Sequence, residues 1–233
     1  MNIASIRPFT LSDYPGKLAA IVFTRGCNFR CPYCHNRSLI PLVGESAADR
    51  KLIPVEGVLD FLKHRRGKQD GLVITGGEPT LQEGLLAFME RVKRLGYFLK
   101  LDTNGSLPGA LKEVIREALA DYIAMDIKGP LEKYREVVNR PVDTEDIMES
   151  IRLIKDSGID HEFRTTVVKS LLTPADLMDC GRMIRGAARY ILQKPVPLEV
   201  PGGLHPIEPG YSDSELHQIV ERLTTLAGRC YLR

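Results

Sequence analysis

Residues Leu18–Asn36 read LAAIVFTRGCNFRCPYCHN. The first part, Leu18–Thr24, is apolar and partly β-branched up to its closing threonine, the pattern of a short strand buried on both faces. The second part places Cys27, Cys31 and Cys34 in a C-x3-C-x2-C spacing directly after that strand. Outward from this stretch, similar short apolar runs recur at Leu72–Thr75, Tyr97–Asp102, Tyr122–Ile127, His161–Val168 and Tyr190–Gln193. Helical spacing separates them, at Val55–His64, Leu81–Leu95, Leu111–Ala120, Thr144–Ser157, Pro174–Arg185 and Ser212–Ala227. Repeated strand–helix alternation predicts an α/β fold with a parallel sheet and right-handed crossovers, open or curled into a barrel. One domain over residues 1–233 is the simplest organisation. The Pro/Gly-rich Lys194–Gly210 stretch is read as a long surface loop.

The unusual polar residues are not scattered. Arg25–His35, Gly76–Pro79, Thr103–Gly105 and Asp126–Lys128 each follow a predicted strand. In parallel α/β proteins ligands bind at the carboxyl ends of strands, so these clusters predict one shared site.

Bulk properties narrow the class further. The 233 residues are 43% hydrophobic and 27% charged, with a net charge of +2. This is the balance of an ordinary globular protein, and it supplies no global field for nucleic acid. No apolar run approaches the roughly 18–20 residues of a membrane span. The first residues, MNIASIRPFTLSDYPGK, lack the basic start and apolar core of a signal peptide, so a cytoplasmic protein with no membrane partner is expected. Five cysteines, three of them within eight residues, point to reduced thiols and a metal site rather than a disulfide framework.

Thiolates are the ligands of iron–sulfur clusters, and a short irregular loop can bring three of them to three corners of a cube. The fourth iron would lack a nearby cysteine and stay open to a substrate or cofactor. The alternative is structural zinc with His35 or a distant cysteine as fourth ligand. Against it, neighbouring residues seldom reach one tetrahedral ion, and no second half-site is present. Cys180 and Cys230 stand apart and read as small buried residues.

The C-x3-C-x2-C motif with Tyr33 before its last cysteine resembles the signature of the radical S-adenosylmethionine (SAM) superfamily. That resemblance implies a partial (β/α)6 TIM-like barrel of the radical SAM type. It also implies one [4Fe–4S] cluster, held by Cys27, Cys31 and Cys34, whose open iron is chelated by SAM. Reductive cleavage of SAM then yields a 5′-deoxyadenosyl radical that abstracts hydrogen. The stretches LSDYPGKLAAIVFTRGCNFRCPYCHN, VITGGEPTLQ, KLDTNG, AMDIK and HEFRTTVV together look like the activating proteins of glycyl radical enzymes, in particular the anaerobic ribonucleoside-triphosphate reductase activating group.

Roles for the remaining residues follow from chemistry and from this resemblance. Gly76, Gly77 and Glu78 could let the backbone approach the SAM amino group, or simply form a turn. The resemblance places Asp102 and Thr103 near the SAM carboxylate and a monovalent cation, which oxygen ligands suit. Asp126, Ile127 and Lys128 occupy the matching position after the next strand, with Lys128 able to neutralise the carboxylate and Asp126 able to complete the cation site or bond to SAM. Arg164, a charge inside an apolar strand, must be paired or face a polar site; it is assigned to SAM or to the carboxylates around it. Tyr33, His35 and Gln193 are candidates for the adenine. The turn Asp13-Tyr14-Pro15-Gly16 is placed by resemblance near the substrate opening.

Three functional readings follow. The first is an activase whose substrate is a glycyl radical enzyme, with anaerobic class III ribonucleotide reductase as target and a flavodoxin- or ferredoxin-type electron donor. The second is a small-molecule radical SAM enzyme such as 7-carboxy-7-deazaguanine synthase, which would need a pterin pocket. The third is a cluster-containing scaffold without turnover.

Overall fold

The computed structural model describes residues 1–40, 51–200, 203–205 and 210–233. The apolar runs form strands β2 (Ala19–Thr24), β3 (Gly71–Gly76), β4 (Phe98–Thr103), β5 (Tyr122–Asp126), β6 (Asp160–Thr166) and β7 (Arg189–Gln193), all parallel and paired in sequence order. Helices α1 (Val55–His64), α2 (Leu85–Arg94), α3 (Pro108–Arg116), α4 (Tyr134–Val138), α5 (Thr144–Asp156) and α6 (Pro174–Met183) lie in the connections between them. Two strands unseen in the sequence extend the sheet. β1 (Ile3–Thr10) pairs antiparallel with β2, and β10 (Arg229–Leu232) follows α7 (Asp213–Leu223) to pair parallel with β7. Both are edge strands with little continuous apolar character, and Pro8 is tolerated in β1 because an edge leaves N–H positions unpaired. The Lys194–Gly210 stretch contains a small antiparallel pair, β8 (Leu198–Val200) and β9 (Gly203–His205); its residues 201–202 and 206–209 lie outside the described residues.

The sheet is curled. Seven strands side by side, from β1 to β7, would span about 29 Å if flat, at about 4.8 Å per strand. Yet Ser5 and Arg7 of β1 and Gln193 of β7 line the same cavity. The outer face of the curl is apolar, with Leu72, Ile74, Leu99, Leu101, Ile123, Met125 and Phe163 packed under the helices in one core. The helices contribute apolar stripes at helical spacing, such as Ile147, Ile151 and Ile154 of α5. Capping boxes set the starts of α6 (Thr173 with Asp176) and α7 (Ser212 with Glu215).

The inner face is different. A small apolar cluster of Tyr14, Ala19, Ile21, Val73, Tyr122 and Ala124 fills its lower part. Tyr14 lies against Tyr122, ring centroids 5.9 Å apart, and a Cβ on Gly71 would meet the Tyr14 ring at 3.0 Å. Gly71 and Tyr122 are first residues of their strands, so Tyr14 closes the interior at the end opposite the cysteine loop. Of the turn expected near the opening, only Asp13 lines the cavity, while Tyr14 is 3% exposed and serves as a plug. Above this plug the inner face becomes polar.

Candidate active site

Alternation along the strands places the polar residues inside the curl. On β4, Lys100 and Asp102 share the inner face; on β6, Glu162, Arg164 and Thr166 do so. The cavity above them is about 800 Å³ and sits at the carboxyl ends of the strands, as the placement of the polar clusters predicted. It is lined by Cys27, Cys31, Tyr33, Cys34 and His35 after β2, and by Gly76, Gly77 and Glu78 after β3. Asp102 and Thr103 of β4, Asp126 and Lys128 around the end of β5, Arg164 of β6 and Gln193 of β7 complete the set. Ile127 is the exception. It is fully buried, its N–H donates to the Arg164 carbonyl at 2.7 Å, and its carbonyl accepts from Thr165 Oγ1 at 2.8 Å. It belongs to the core and to the β5–β6 join, because its side chain alternates to the outer face when those of Asp126 and Lys128 turn inward.

The cysteine loop is pinned on three sides. Gly26 N–H donates to the Leu39 carbonyl at 2.9 Å, Arg30 N–H to Val138 at the end of α4 at 2.9 Å, and Phe29 packs edge-on to Tyr134. The Cys27 sulfur accepts from Phe29 N–H at 3.4 Å, and Asn104 Nδ2 lies 3.9 Å from it. Burial pushes the Cys27 thiol up to about 11 and raises Cys31 as well. Metal loading must therefore displace protons from these thiols.

Gly76 and Gly77 are required by packing. Gly76 has φ +121°, and an added Cβ would lie 2.3 Å from Thr24 N; one on Gly77 would lie 1.9 Å from the Gly26 carbonyl oxygen. The two backbones are also bonded, Gly77 N–H to Thr24 O at 2.9 Å and Glu78 N–H to Gly26 O at 2.8 Å. The glycine pair thus presses the turn after β3 against the base of the cysteine loop. Gly77→Ala is expected to prise the two loops apart, costing about 1–3 kcal/mol of stability and lowering iron bound per chain after reconstitution. Wild-type iron content and melting temperature in this variant would show that the close approach is dispensable.

Glu78 is buried, and four donors meet its carboxylate: Thr80 N–H at 3.0 Å, Thr80 Oγ1 at 2.6 Å, Thr103 Oγ1 at 2.8 Å and Asn104 N–H at 2.7 Å. Burial pushes its carboxyl up, and those donors pull the other way. Its role is to tie the turn after β3 to the turn after β4. Asn104 continues the tie through Asn28 Oδ1 at 3.0 Å, and Ser150 of α5 donates to Gly105 O at 2.7 Å.

Between β4 and β6 runs a ladder of alternating charge. Lys100 Nζ is 2.5 Å from Asp102 Oδ1, and Arg164 Nη1 is 3.1 Å from Asp102 Oδ2. Arg164 Nε is 2.8 Å from Asp126 Oδ1, and Lys128 Nζ is 3.0 Å from Asp126 Oδ2. Burial alone would raise both carboxyls, but Arg164 with Lys100 or Lys128 holds Asp102 and Asp126 below the ordinary range. Lys128 is held above its own ordinary value by Asp126, against the pull of burial. Lys100, only 1% exposed, was not singled out in the sequence, nor was Glu162, which is fully buried and accepts from Tyr122 Oη at 2.9 Å. Strand alternation in KLDTNG and HEFRTTVV was the signal that could have placed both on the inner face.

The Radical SAM superfamily model matches residues 21–178. A Methanocaldococcus jannaschii protein provisionally named a glycyl-radical enzyme activating enzyme is 34% identical over 197 residues, covering 82% of this chain and 79% of the relative. A Thermococcus kodakarensis 7-carboxy-7-deazaguanine synthase is 30% identical over 204 residues, covering 79% and 77%. The crystal structure of Streptococcus suis SuiB shares the fold, with a TM-score of 0.66 at 14% identity over 91% of this chain and 48% of that one. The chain belongs to the radical SAM superfamily, enzymes with a [4Fe–4S] cluster on three cysteines and bound SAM. Within it, the similarity supports the group that activates glycyl radical enzymes.

The residues present fit these two groups. The three thiols line one cavity, and the Tyr33 hydroxyl within the same loop is buried without a hydrogen-bond partner. Among the described residues no three of His, Cys, Asp or Glu converge closely enough for a single ion. A cuboidal cluster, in which each sulfur takes its own iron, would be held by Cys27, Cys31 and Cys34. A monovalent cation between Asp102 and Thr103 does not fit. Thr103 Oγ1 is already engaged, donating to Glu78 and accepting from Gly105 N–H at 3.1 Å, and each oxygen of Asp102 meets a cationic nitrogen.

Proposed function

We propose that the chain is an activase whose 5′-deoxyadenosyl radical takes a hydrogen atom from a glycine Cα of a partner enzyme, anaerobic class III ribonucleotide reductase. The observation that carries the activase reading is the 34% identity to the Methanocaldococcus jannaschii protein, sustained over 82% of the chain; the reductase as target rests on the resemblance of the sequence motifs alone. The rim of the cavity supports it. Arg7 and Pro8 of the β1 edge line it on one side and Val196, 51% exposed, on the other. Such an open rim suits a protein substrate better than an enclosed small-molecule chamber.

When reduced and bound together, the cluster and SAM supply reductive cleavage to methionine and the 5′-deoxyadenosyl radical. The chain's own residues bind and orient. Lys128 has donors left after its bond to Asp126, and Arg164 is held rigid by two carboxylates; both face the cavity and are assigned to the SAM carboxylate. The backbone at Gly76 and Gly77 receives the amino group. Tyr33, His35 and Gln193 border the adenine, with His35 exposed at the mouth and Gln193 half-buried at the end of β7. Asp102, Asp126, Thr103 and Glu78 hold these groups in place. A flavodoxin- or ferredoxin-type protein is the proposed electron donor.

The second reading, a 7-carboxy-7-deazaguanine synthase, is favoured by the Thermococcus kodakarensis relative. One experiment separates the two. The anaerobically reconstituted enzyme is reduced with SAM, alone, with class III reductase, or with a pterin substrate. The expected result is 5′-deoxyadenosine by mass spectrometry plus a glycyl radical by electron paramagnetic resonance in the reductase sample. Formation of 7-carboxy-7-deazaguanine without the radical would replace the activase by the synthase. Absence of deoxyadenosine from a cluster-loaded sample would leave only the scaffold reading.

A further inference from the structure

The monovalent cation that the family resemblance places beside the SAM carboxylate has no room in this chain's hydrogen-bond pattern, and a lysine stands in its place. Lys100 is 1% exposed, on the inner face of β4 one alternation below Asp102. Its ammonium is 2.5 Å from Asp102 Oδ1 and 5.7 Å from the centre of the Tyr122 ring, whose face attracts a cation. A buried ammonium is unfavourable unless paired, and Asp102 is the only salt-bridge partner of Lys100 among the described residues.

We propose that Lys100 is a built-in counter-ion: a fixed cation that holds Asp102, and through it Arg164, in the SAM-binding arrangement, so that SAM binding is independent of K+ and Na+. The balance of charges is the argument: with Glu162, fully buried and 3.9 Å from Arg164 Nη1 through Oε1, three carboxylates face three cations. Asp102 and Asp126 present four carboxylate oxygens, and Lys100, Arg164 and Lys128 supply one nitrogen to each. Removing the Lys100 charge leaves Asp102 Oδ1 unmatched, a vacancy of one positive charge that a monovalent cation has the right valence to fill. Lys100 is a positioning residue, acting through Asp102 and Arg164 rather than on SAM itself. The inference rests on SAM lying in the cavity against Lys128 and Arg164, as proposed above.

The test is SAM affinity of the cluster-loaded enzyme, measured by anaerobic equilibrium dialysis in potassium, sodium and choline chloride at equal ionic strength. Wild type is expected to bind equally in all three. Lys100→Met, which keeps the stem and removes the charge, is expected to lose about tenfold or more in choline and to recover in potassium or sodium. Wild-type affinity that falls tenfold in choline would overturn the inference, and this arm needs no variant to fold. Lys100→Met binding as wild type does in choline, or failing to recover in potassium, would also overturn it. Lys128→Met tests the placement separately. Unchanged SAM affinity there would remove the assumed position of SAM, whatever the salt.

Discussion

Replacement of Cys27, Cys31 or Cys34 by Ala, one at a time, is expected to abolish 5′-deoxyadenosine formation from reduced enzyme and SAM. Each sulfur holds its own corner of a cuboidal cluster, and the described structure offers no spare thiol. Cys180 is fully buried on α6, and Cys230 lies on β10, at the edge of the sheet beyond β7. Neither lines the cavity. The replaced ligand therefore cannot be supplied from elsewhere in the chain. Iron and sulfide content after reconstitution, with the visible absorbance of the cluster, reads the loss directly. Cys180→Ser and Cys230→Ser are expected to retain wild-type iron content. Cluster loss in either, or full deoxyadenosine yield from any of the three alanine variants, would show that the ligand set is different.

Arg164→Met is expected to produce the next largest effect, on stability and SAM binding together. Among the described residues its guanidinium is the only group that touches both Asp102 and Asp126, at 3.1 and 2.8 Å, and it is 11% exposed. Removing one partner from a buried charge network leaves carboxylates without compensation, at about 3–5 kcal/mol. For a chain of this size that corresponds to a melting temperature lower by about 6–20 °C. Arg164→Met combined with Asp126→Asn is expected to recover part of the lost stability, because one uncompensated charge is gone, while SAM binding stays weak. A melting temperature within about 2 °C of wild type for Arg164→Met alone would contradict the ladder's structural role.

The ladder also marks the boundary of what could be read from the chain alone. A charge within HEFRTTVV had to be paired or face a polar site, and that much followed from burial energetics. Its partners did not, since Asp102 and Asp126 lie 62 and 38 residues away. Glu78 shows the same limit. GGEP after a strand located the turn correctly, yet the carboxylate meets Thr80, Thr103 and Asn104 rather than open cavity. Ile127 was misplaced because a cluster of consecutive residues was treated as facing one way, while a strand end still alternates. The turn at Tyr14 was misjudged for a related reason: only the closing of the sheet decides which end of the interior a loop reaches.

By itself the sequence determined the parallel α/β order, the cysteine spacing and the grouping of polar residues at strand ends. These are local or periodic signals: apolar runs as long as a strand, helix stops at glycine, and three thiols within reach of one loop. The tertiary structure alone decided the curl that brings β1 and β7 to one cavity, and the two edge strands. It also decided the close approach that demands Gly76 and Gly77, and the pairing of Lys100, Asp102, Arg164, Asp126 and Lys128. Those depend on side chains far apart in sequence meeting in a water-poor interior, where unmatched charge is prohibitive and each partner is chosen by position in the sheet.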